Sequence, residues 1–188
     1  MKREIGIWVC GALWLAAVVA ACGAWERYDA TPGVAGEPIS TVADGVTTGW
    51  RLTIFLHPKC PCSRETIRQA AALAAECPEL TVSVVFVRPT GTTPGWERGE
   101  NWDEAERLGF AVLCDQDGCA ARSAGAETSG AAVLTDPSGR VVFHGGLTPG
   151  RGRSGECVGR QAVLGWVRGE STAASAPVYG CPLHSAGE

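Results

Sequence analysis

A short apolar run that leads directly into a helix-forming segment, with two cysteines at the junction, most constrains the fold. Residues 51–56 (Arg-Leu-Thr-Ile-Phe-Leu) are rich in β-formers and predict a strand buried on both faces. Residues 64–76 are rich in Ala, Leu, Gln and Glu and predict a helix that ends before Pro78. Cys60 and Cys62 therefore lie where a strand gives way to a helix.

The position of these two thiols predicts that they are reactive. A helix start presents unpaired backbone N–H groups and the positive end of the helix dipole, which both stabilise an anion. The pKa of a thiol there should fall, and the charges of Lys59 and of protonated His57 should lower it further. A structural cysteine needs no such surroundings. The junction thus favours reactive or metal-binding thiols at Cys60 and Cys62.

The rest of the chain alternates predicted strands and helices. Strands are predicted at 81–87 and 111–114 and in two runs that flank an Asp-Pro-Ser-Gly turn at 136–139. Helices are predicted at 103–108, in a short segment that ends at 124, and at 156–168. A strand–helix–strand unit should have parallel strands. This order predicts an α/β domain over residues 47–168, with a central sheet flanked by helices.

The N-terminal segment predicts a membrane anchor. Lys2 and Arg3 precede an apolar run over residues 5–25, which is long enough to cross a bilayer as a helix. The positive residues should stay inside, so the domain should face the periplasm or the cell exterior. The residues before Cys22 also resemble a lipobox, but the length of the run favours an uncleaved anchor in segment 1–25. Residues 26–46 are expected to form a linker.

Composition and short motifs exclude several functions. The net charge of -4 and the absence of a basic block beyond the N-terminus argue against nucleic-acid binding. Residues 150–155 read Gly-x-Gly-x-x-Gly, but no acidic residue follows at ribose-binding distance, so we expect no dinucleotide. Residues 115–118 resemble the start of a calcium loop, but Ala126 stands at the twelfth position, where such a loop requires Glu. The 9 cysteines indicate an oxidising compartment or metal handling.

Residues 55–64 (Phe-Leu-His-Pro-Lys-Cys-Pro-Cys-Ser-Arg) resemble the active-site turn of thioredoxin-like, membrane-anchored thiol–disulfide oxidoreductases. They are also similar to the RedB-like branch of that superfamily. The hairpin that contains Asp-Pro-Ser-Gly-Arg at 136–140 is similar to a second segment of the family. The resemblance covers roughly residues 51–168 and implies a thioredoxin-like fold in which Cys60 is the nucleophile.

The sequence departs from the family pattern at two positions. Ser63 stands where the family has its resolving cysteine, so Cys-Pro-Cys-Ser replaces Cys-x-x-Cys, and Cys62 lies one residue too early. Gly130 stands where the family has a cis-proline that lies against the nucleophile and shapes substrate binding. We expect Ser129 and Gly130 to leave room there for a bulkier group or for a metal.

Two function classes follow, an enzyme and a binding protein. The enzyme is a membrane-tethered thiol–disulfide oxidoreductase that needs no cofactor and acts on protein thiols and disulfides, with Cys60 attacking and Cys62 or another cysteine resolving. A disulfide between Cys60 and Cys62 would close a strained, easily reduced ring. The alternative is a carrier of copper or another soft metal that uses Cys60 and Cys62, with His57 or Cys181 as a further ligand. A tethered scaffold with incidental thiols is the third option.

Cys181 separates these classes. It lies in a Ser/Ala-rich tail, residues 169–188, which shows no evident core face. The thiol is either unpaired or brought to another site, as a resolving cysteine or as a metal ligand. We favour the resolving role, because a domain outside the cytoplasm meets disulfides more often than free Cu(I).

The anchor prediction is tested by a reporter enzyme, fused after Glu188, that is active only outside the cytoplasm. We expect the full-length fusion to be active, since the charges of Lys2 and Arg3 hold the N-terminus inside. The same fusion without residues 1–25 serves as the control and should be inactive. Activity of a reporter that works only in the cytoplasm would contradict the orientation.

Overall fold

The computed structural model describes residues 2–34, 36–37 and 49–184 of the chain. It divides into two compact units, Met1–Thr31 and Pro32–Glu188. The first unit is one helix, α1 (Lys2–Ala30). Its segment Ile5–Ala30 is long and apolar enough to cross a membrane, with a mean hydropathy of 2.3, although a signal sequence would meet the same criteria. The helix continues to Ala30, so residues 26–30, which the sequence assigns to the linker, are helical.

The second unit contains the predicted strands and helices, with ends that shift by a few residues. The strands are β1 (Trp50–Leu56), β2 (Leu80–Arg88), β3 (Ala111–Gln116), β4 (Ala131–Thr135) and β5 (Val141–Gly145). The helices are α2 (Ser63–Glu76), α3 (Glu100–Arg107), α4 (Cys119–Ser123) and α5 (Val158–Val167). The β-hairpin formed by β4 and β5 turns at Gly139, whose φ of 86° favours glycine.

The strands form a mixed sheet in the order β3-β2-β1-β4-β5. β1 and β2 run parallel, as do β2 and β3, which confirms the predicted strand–helix–strand unit. β4 runs antiparallel to both β1 and β5. This is the thioredoxin-like α/β arrangement that the sequence predicts. β1 is central, so the loop that follows Leu56 emerges from the middle of the sheet.

Alternate residues of β1 face two separate hydrophobic clusters. Leu52, Ile54 and Leu56 belong to the cluster that α2, α3 and α5 cover. Phe55 points to the opposite face, where Ala121 of α4 packs together with Val178 and Leu183 of the tail. The double-sided burial explains why residues 51–56 form a near-continuous apolar run.

The tail packs against the domain along much of its length, whereas the sequence predicts a segment without a core face. Its backbone first pairs with β5, where the N–H of His144 donates to the Ala174 carbonyl (3.0 Å). It then crosses the loop before β4, where Ser129 N–H donates to the Cys181 carbonyl (2.8 Å) and Leu183 N–H to the Glu127 carbonyl (2.9 Å). Val178 and Leu183 are buried, but their spacing matches neither a helical nor a strand period, so the sequence pattern does not reveal this face.

Part of the predicted linker also lies on the domain. Gly33 N–H donates to the Val178 carbonyl (2.8 Å), and the Thr128 hydroxyl donates to the Val34 carbonyl (3.0 Å). Residues 33–34 therefore contact both the tail and the loop that the tail crosses. Residues 38–46 of the predicted linker lie outside the described residues.

Gly180→Ala tests the tail docking, because a Cβ at this position would overlap the carbonyl oxygen of Ser129. We expect the Ser129 and Leu183 amides to exchange with deuterium about tenfold faster in this variant, since displacement of the tail separates Ser129 N–H from the Cys181 carbonyl and Leu183 N–H from the Glu127 carbonyl. Gly49→Ala is the matched control, because its Cβ would meet only the Glu79 carbonyl at an ordinary 3.7 Å. Unchanged amide protection in Gly180→Ala would mean that the tail does not dock as described.

Candidate active site

The turn that follows β1 positions Cys60 at the start of α2, as the sequence predicts. Cys60 N–H donates to the His57 carbonyl (3.1 Å), and Ser63 N–H donates to the Cys60 carbonyl (3.1 Å). These hydrogen bonds close two successive turns between the strand and the helix. Cys60 is only 1% exposed, whereas Cys62 is half-buried.

The tail brings a second thiol to Cys60. The Sγ atoms of Cys60 and Cys181 lie 3.2 Å apart, and both cysteines are free thiols. The tail is held at this point by the hydrogen bond from Ser129 N–H to the Cys181 carbonyl and by the guanidinium of Arg151, which donates to the Gly180 carbonyl. A disulfide has an S–S distance of about 2.05 Å, so a small movement would let the two sulfurs bond.

The surroundings of Cys60 favour its thiolate. Burial raises the pKa of the Cys60 thiol, but hydrogen bonds to its sulfur outweigh this effect and bring the pKa below its ordinary value. These hydrogen bonds come from the N–H and the thiol of Cys181, the N–H of Cys62 and the hydroxyl of Ser63. The larger part of this lowering comes from Cys181 in the tail, and the helix start contributes a smaller part through the N–H of Cys62 and the side chain of Ser63. The pKa values of Cys77, Cys114 and Cys157 are raised instead, mainly by burial.

Cys181 holds its proton. Burial, the hydrogen bond that it donates to Cys60 and the nearby negative charges of Cys60 and Cys62 raise the pKa of Cys181 to about 12. Of the two sulfurs, Cys60 is therefore the one that ionises first, while Cys181 keeps its proton at neutral pH. Such a pair has a nucleophile and a second sulfur that becomes reactive once the first charge is lost.

His57 and Lys59 contact each other and Trp96 rather than the sulfur. Burial and the charge of Lys59 lower the pKa of His57, so its ring is neutral at neutral pH. Its Nδ1 accepts from the Lys59 N–H (3.2 Å) and its ring meets the Trp96 ring edge-on. The Lys59 ammonium lies 4.9 Å from the centre of the Trp96 ring. The expected contribution of protonated His57 to the Cys60 thiolate therefore does not apply at neutral pH.

The side chains of Ser63 and Ser129 contact each other beside the turn that carries Cys60. Their hydroxyl oxygens lie 3.0 Å apart, and the Ser129 hydroxyl accepts from the His57 N–H (2.9 Å). Both serines are buried. The Ser63 hydroxyl donates to the His57 carbonyl (3.3 Å) and also lowers the pKa of the neighbouring Cys60 thiol. Ser63 thus ties the helix to the loop before β4.

Gly130 does not leave the free space that the sequence suggests. Its N–H donates to the Phe55 carbonyl (2.9 Å), and its φ of 99° favours glycine. A Cβ there would lie 3.2 Å from the Thr66 hydroxyl and 3.7 Å from the Tyr179 carbonyl. The space expected beside Ser129 and Gly130 is therefore occupied by the protein's own tail.

Cys62 lies at the edge of the site. It is the residue before α2, and its negative charge is one of the causes that raise the pKa of Cys181. The glycine-rich segment 150–155 passes beside it, since a Cβ on Gly152 would lie 4.0 Å from the Cys62 sulfur. This segment forms a turn against the site, and its Arg151 holds the tail.

Two side chains that sequence reasoning missed support the turn. Asn101 is buried at the start of α3, and its amide donates to the carbonyls of Pro58 (3.0 Å) and Cys60 (3.1 Å). Arg151 holds the Gly180 carbonyl. Both lie far from Cys60 in sequence, and no motif links either of them to the cysteines, so only the fold reveals their position.

The described residues contain no group of three or more His, Cys, Asp or Glu side chains that could hold a metal ion. The structure joins Cys60 to Cys181, with Cys62 close by, while His57 turns its Nδ1 towards the backbone of Lys59. The copper-binding alternative gains no support from this arrangement.

No protein-family model and no curated protein matches the sequence. Among solved structures, the chain is similar to an uncharacterized conserved protein from Geobacillus kaustophilus, with a TM-score of 0.61 and 17% identity over 85% of this chain and 94% of that one. A hypothetical protein from Sinorhizobium meliloti 1021 matches with a TM-score of 0.60 and 22% identity over 84% and 96%. A thioredoxin-like protein from Aeropyrum pernix has a TM-score of 0.47 and 13% identity over 79% and 96%.

The similarities to the proteins from Geobacillus kaustophilus and Sinorhizobium meliloti concern the fold alone. The site places a buried cysteine with a lowered pKa just before α2 and a protonated thiol from the C-terminal tail in contact with it.

Cys181→Ala tests the origin of the lowered pKa of Cys60. Because the hydrogen bond from the side chain of Cys181 is one of the causes that lower the pKa of Cys60, we expect this pKa to rise when the thiol is lost. The pH dependence of Cys60 alkylation, followed by mass spectrometry, reports this pKa. Cys119→Ala, at an exposed cysteine, is the control and should leave it unchanged. An unchanged pKa in Cys181→Ala would show that the tail does not stabilise the thiolate.

Proposed function

We propose that the protein is a thiol–disulfide oxidoreductase in which Cys60 is the nucleophile and Cys181 is the resolving cysteine. The observation that carries the proposal is the 3.2 Å contact between the two sulfurs, one with a lowered and one with a raised pKa. The substrates are disulfides, and protein disulfides are the class that the thioredoxin-like fold suggests.

The reaction proceeds through two exchanges that balance in atoms and electrons. The Cys60 thiolate attacks one sulfur of the substrate disulfide, forms a mixed disulfide and releases the other substrate sulfur as a thiolate. Cys181 then gives its proton to solvent or to the departing thiolate and attacks the Cys60 sulfur. The second substrate sulfur leaves, so the substrate has gained two electrons and the protein holds a Cys60–Cys181 disulfide. The same steps in reverse oxidise a substrate dithiol.

The raised pKa of Cys181 sets the order of these steps. The negative charge on Cys60 is one cause of that raised pKa, and the charge disappears when Cys60 enters the mixed disulfide. The pKa of Cys181 then falls towards its ordinary value, which frees its thiolate for attack. Cys181 thus stays protonated while Cys60 is free and becomes reactive after Cys60 has reacted. Since Cys60 is almost fully buried, a local opening must admit the substrate.

The location of this reaction is part of the same proposal. The apolar helix α1 would hold the domain at the cytoplasmic membrane, and the charges before it would place the domain outside, in the periplasm or at the cell exterior. Disulfides persist in those compartments, so a protein that exchanges them would meet its substrates there.

Trapping of the mixed disulfide tests which cysteine resolves it. The reduced protein is allowed to react with excess hydroxyethyl disulfide. We expect the wild type to lose the adduct on Cys60 quickly as its internal disulfide forms. In Cys181→Ser the adduct should persist, because this variant has no sulfur at position 181 to displace it. Intact-mass measurements quantify the adduct, which should persist at least roughly tenfold longer in Cys181→Ser than in the wild type.

Cys62→Ser is the matched control, since it removes the other nearby thiol. This variant should resolve the adduct as the wild type does. A persistent adduct in Cys62→Ser together with rapid resolution in Cys181→Ser would assign the resolving role to Cys62 and contradict the proposal.

A further inference from the structure

We infer that a cationic cavity beside Cys60 binds a carboxylate of the substrate, so that disulfides flanked by negative charge are the preferred substrate class. The inference rests on the proposed function and specifies the substrate of that site. It depends on the position of the cavity, on its charges and on the direction from which Cys181 attacks.

The cavity has a volume of about 390 Å³ and opens between the Cys60 turn and the start of α3. Its walls include Pro58, Lys59, Cys60, Arg64, Arg98 and Asn101. The volume lies within the range of about 300–1,000 Å³ that is usual for small-ligand sites. Cys60 thus forms part of the wall of a space that could accept the part of a substrate next to its disulfide.

The charge of the cavity is opposite to that of the protein as a whole. Lys59, Arg64 and Arg98 line it, against the single carboxylate of Glu100, in a chain whose net charge is -4. Glu100 pairs with Arg64, but its side chain is 85% exposed, so this ion pair contributes little stability. A substrate carboxylate can therefore replace Glu100 as the partner of Arg64 at small cost.

Aromatic rings restrict two of these cations. The Lys59 ammonium lies 4.9 Å from the centre of the Trp96 ring, and the Arg98 guanidinium lies 4.9 Å from the centre of the Trp102 ring. Such contacts hold a cation over the face of the ring. The side chains lose less conformational entropy on binding an anion than free surface cations would, because they are already partly ordered.

The attack geometry places the substrate on the cavity side of Cys60. In disulfide exchange the attacking, central and leaving sulfurs lie close to one line. Cys181 reaches Cys60 from the side of Ser129, to which its backbone is bonded. The walls of the cavity come instead from residues 58–61, 64 and 98–101. A substrate that enters from this cavity can leave Cys181 in position for the second exchange.

A preference for anionic substrates would not arise without these cations. The Cys60 thiolate and the negative net charge of the chain both repel an anionic disulfide. A simple thiolate of this kind should therefore react fastest with a cationic disulfide. A faster reaction with the anionic disulfide would therefore indicate the local electrostatic field of Lys59, Arg64 and Arg98.

Three small disulfides of similar size and different charge test this inference. These are dithiodipropionate (anionic), hydroxyethyl disulfide (neutral) and cystamine (cationic), and each reacts with the reduced full-length protein while formation of the Cys60–Cys181 disulfide is followed by mass. At low ionic strength we expect the anionic probe to react about tenfold faster than the cationic one. The ratio should fall as salt is added, since the cavity is open to solvent.

The variant Lys59→Gln/Arg98→Gln should bring the ratio of anionic to cationic rates close to one or below it. Arg68→Gln is the matched control, because Arg68 lies on the same helix as Arg64 but outside the cavity, and it should keep the wild-type ratio. A pair of peptide disulfides flanked by Glu or by Lys distinguishes the source of the carboxylate. If only the peptides show a preference for negative charge, the cavity binds acidic protein substrates. If the small probes already show it, the cavity binds any carboxylate beside the disulfide.

The outcomes separate this inference from the proposed function. One outcome is that the wild type reacts equally fast with anionic and cationic disulfides, or faster with cationic ones, for small probes and peptides alike. If the exchange still requires Cys60, this outcome would overturn the substrate preference and leave the redox function in place. A wild-type ratio that the double variant keeps would also overturn it. If no probe or peptide reacts at a rate that Cys60→Ser abolishes, the proposed function fails and this inference fails with it.

Discussion

The 3.2 Å contact between the sulfurs of Cys60 and Cys181 is the interaction on which the site depends. It requires the tail to cross the loop before β4, and it lowers the pKa of one sulfur while it raises that of the other. The departures from the family pattern become understandable around it. Ser63 lowers the pKa of Cys60 from the position of the usual resolving cysteine, and Gly130 accommodates the tail where a proline would stand. In the proposed function the second thiol therefore comes from the tail and not from the helix.

The sequence predicts most of the fold because the sheet leaves a strong local signal. β1 and β2 are buried on both faces and read as continuous apolar runs, and the turn of the β4–β5 hairpin is explicit in its residues. Cys60 is predictable for the same reason, since the end of a buried strand followed by a helix is visible in the sequence. The features that position the nucleophile are therefore local in the chain.

The partner of the nucleophile could not be predicted in this way. Cys181 reaches Cys60 through single backbone hydrogen bonds and through Val178 and Leu183, which leave no periodic pattern. Asn101 of α3 orients the turn and Arg151 of the glycine-rich segment orients the tail, and nothing near them in sequence marks that role. The sequence therefore leaves Cys62 and Cys181 as alternatives, and the choice depends on tertiary contacts.

Disulfide mapping of the wild-type protein, equilibrated with a glutathione redox buffer and quenched with acid, tests the central claim most directly. Trypsin cleaves after Lys59, Arg64 and Arg168, so Cys60 and Cys62 lie on one short peptide and Cys181 on the C-terminal one. The account predicts that these two peptides are joined and that fragmentation between Cys60 and Cys62 places the bond on Cys60. A bond within the short peptide, or a link from Cys181 to Cys62 alone, would contradict it.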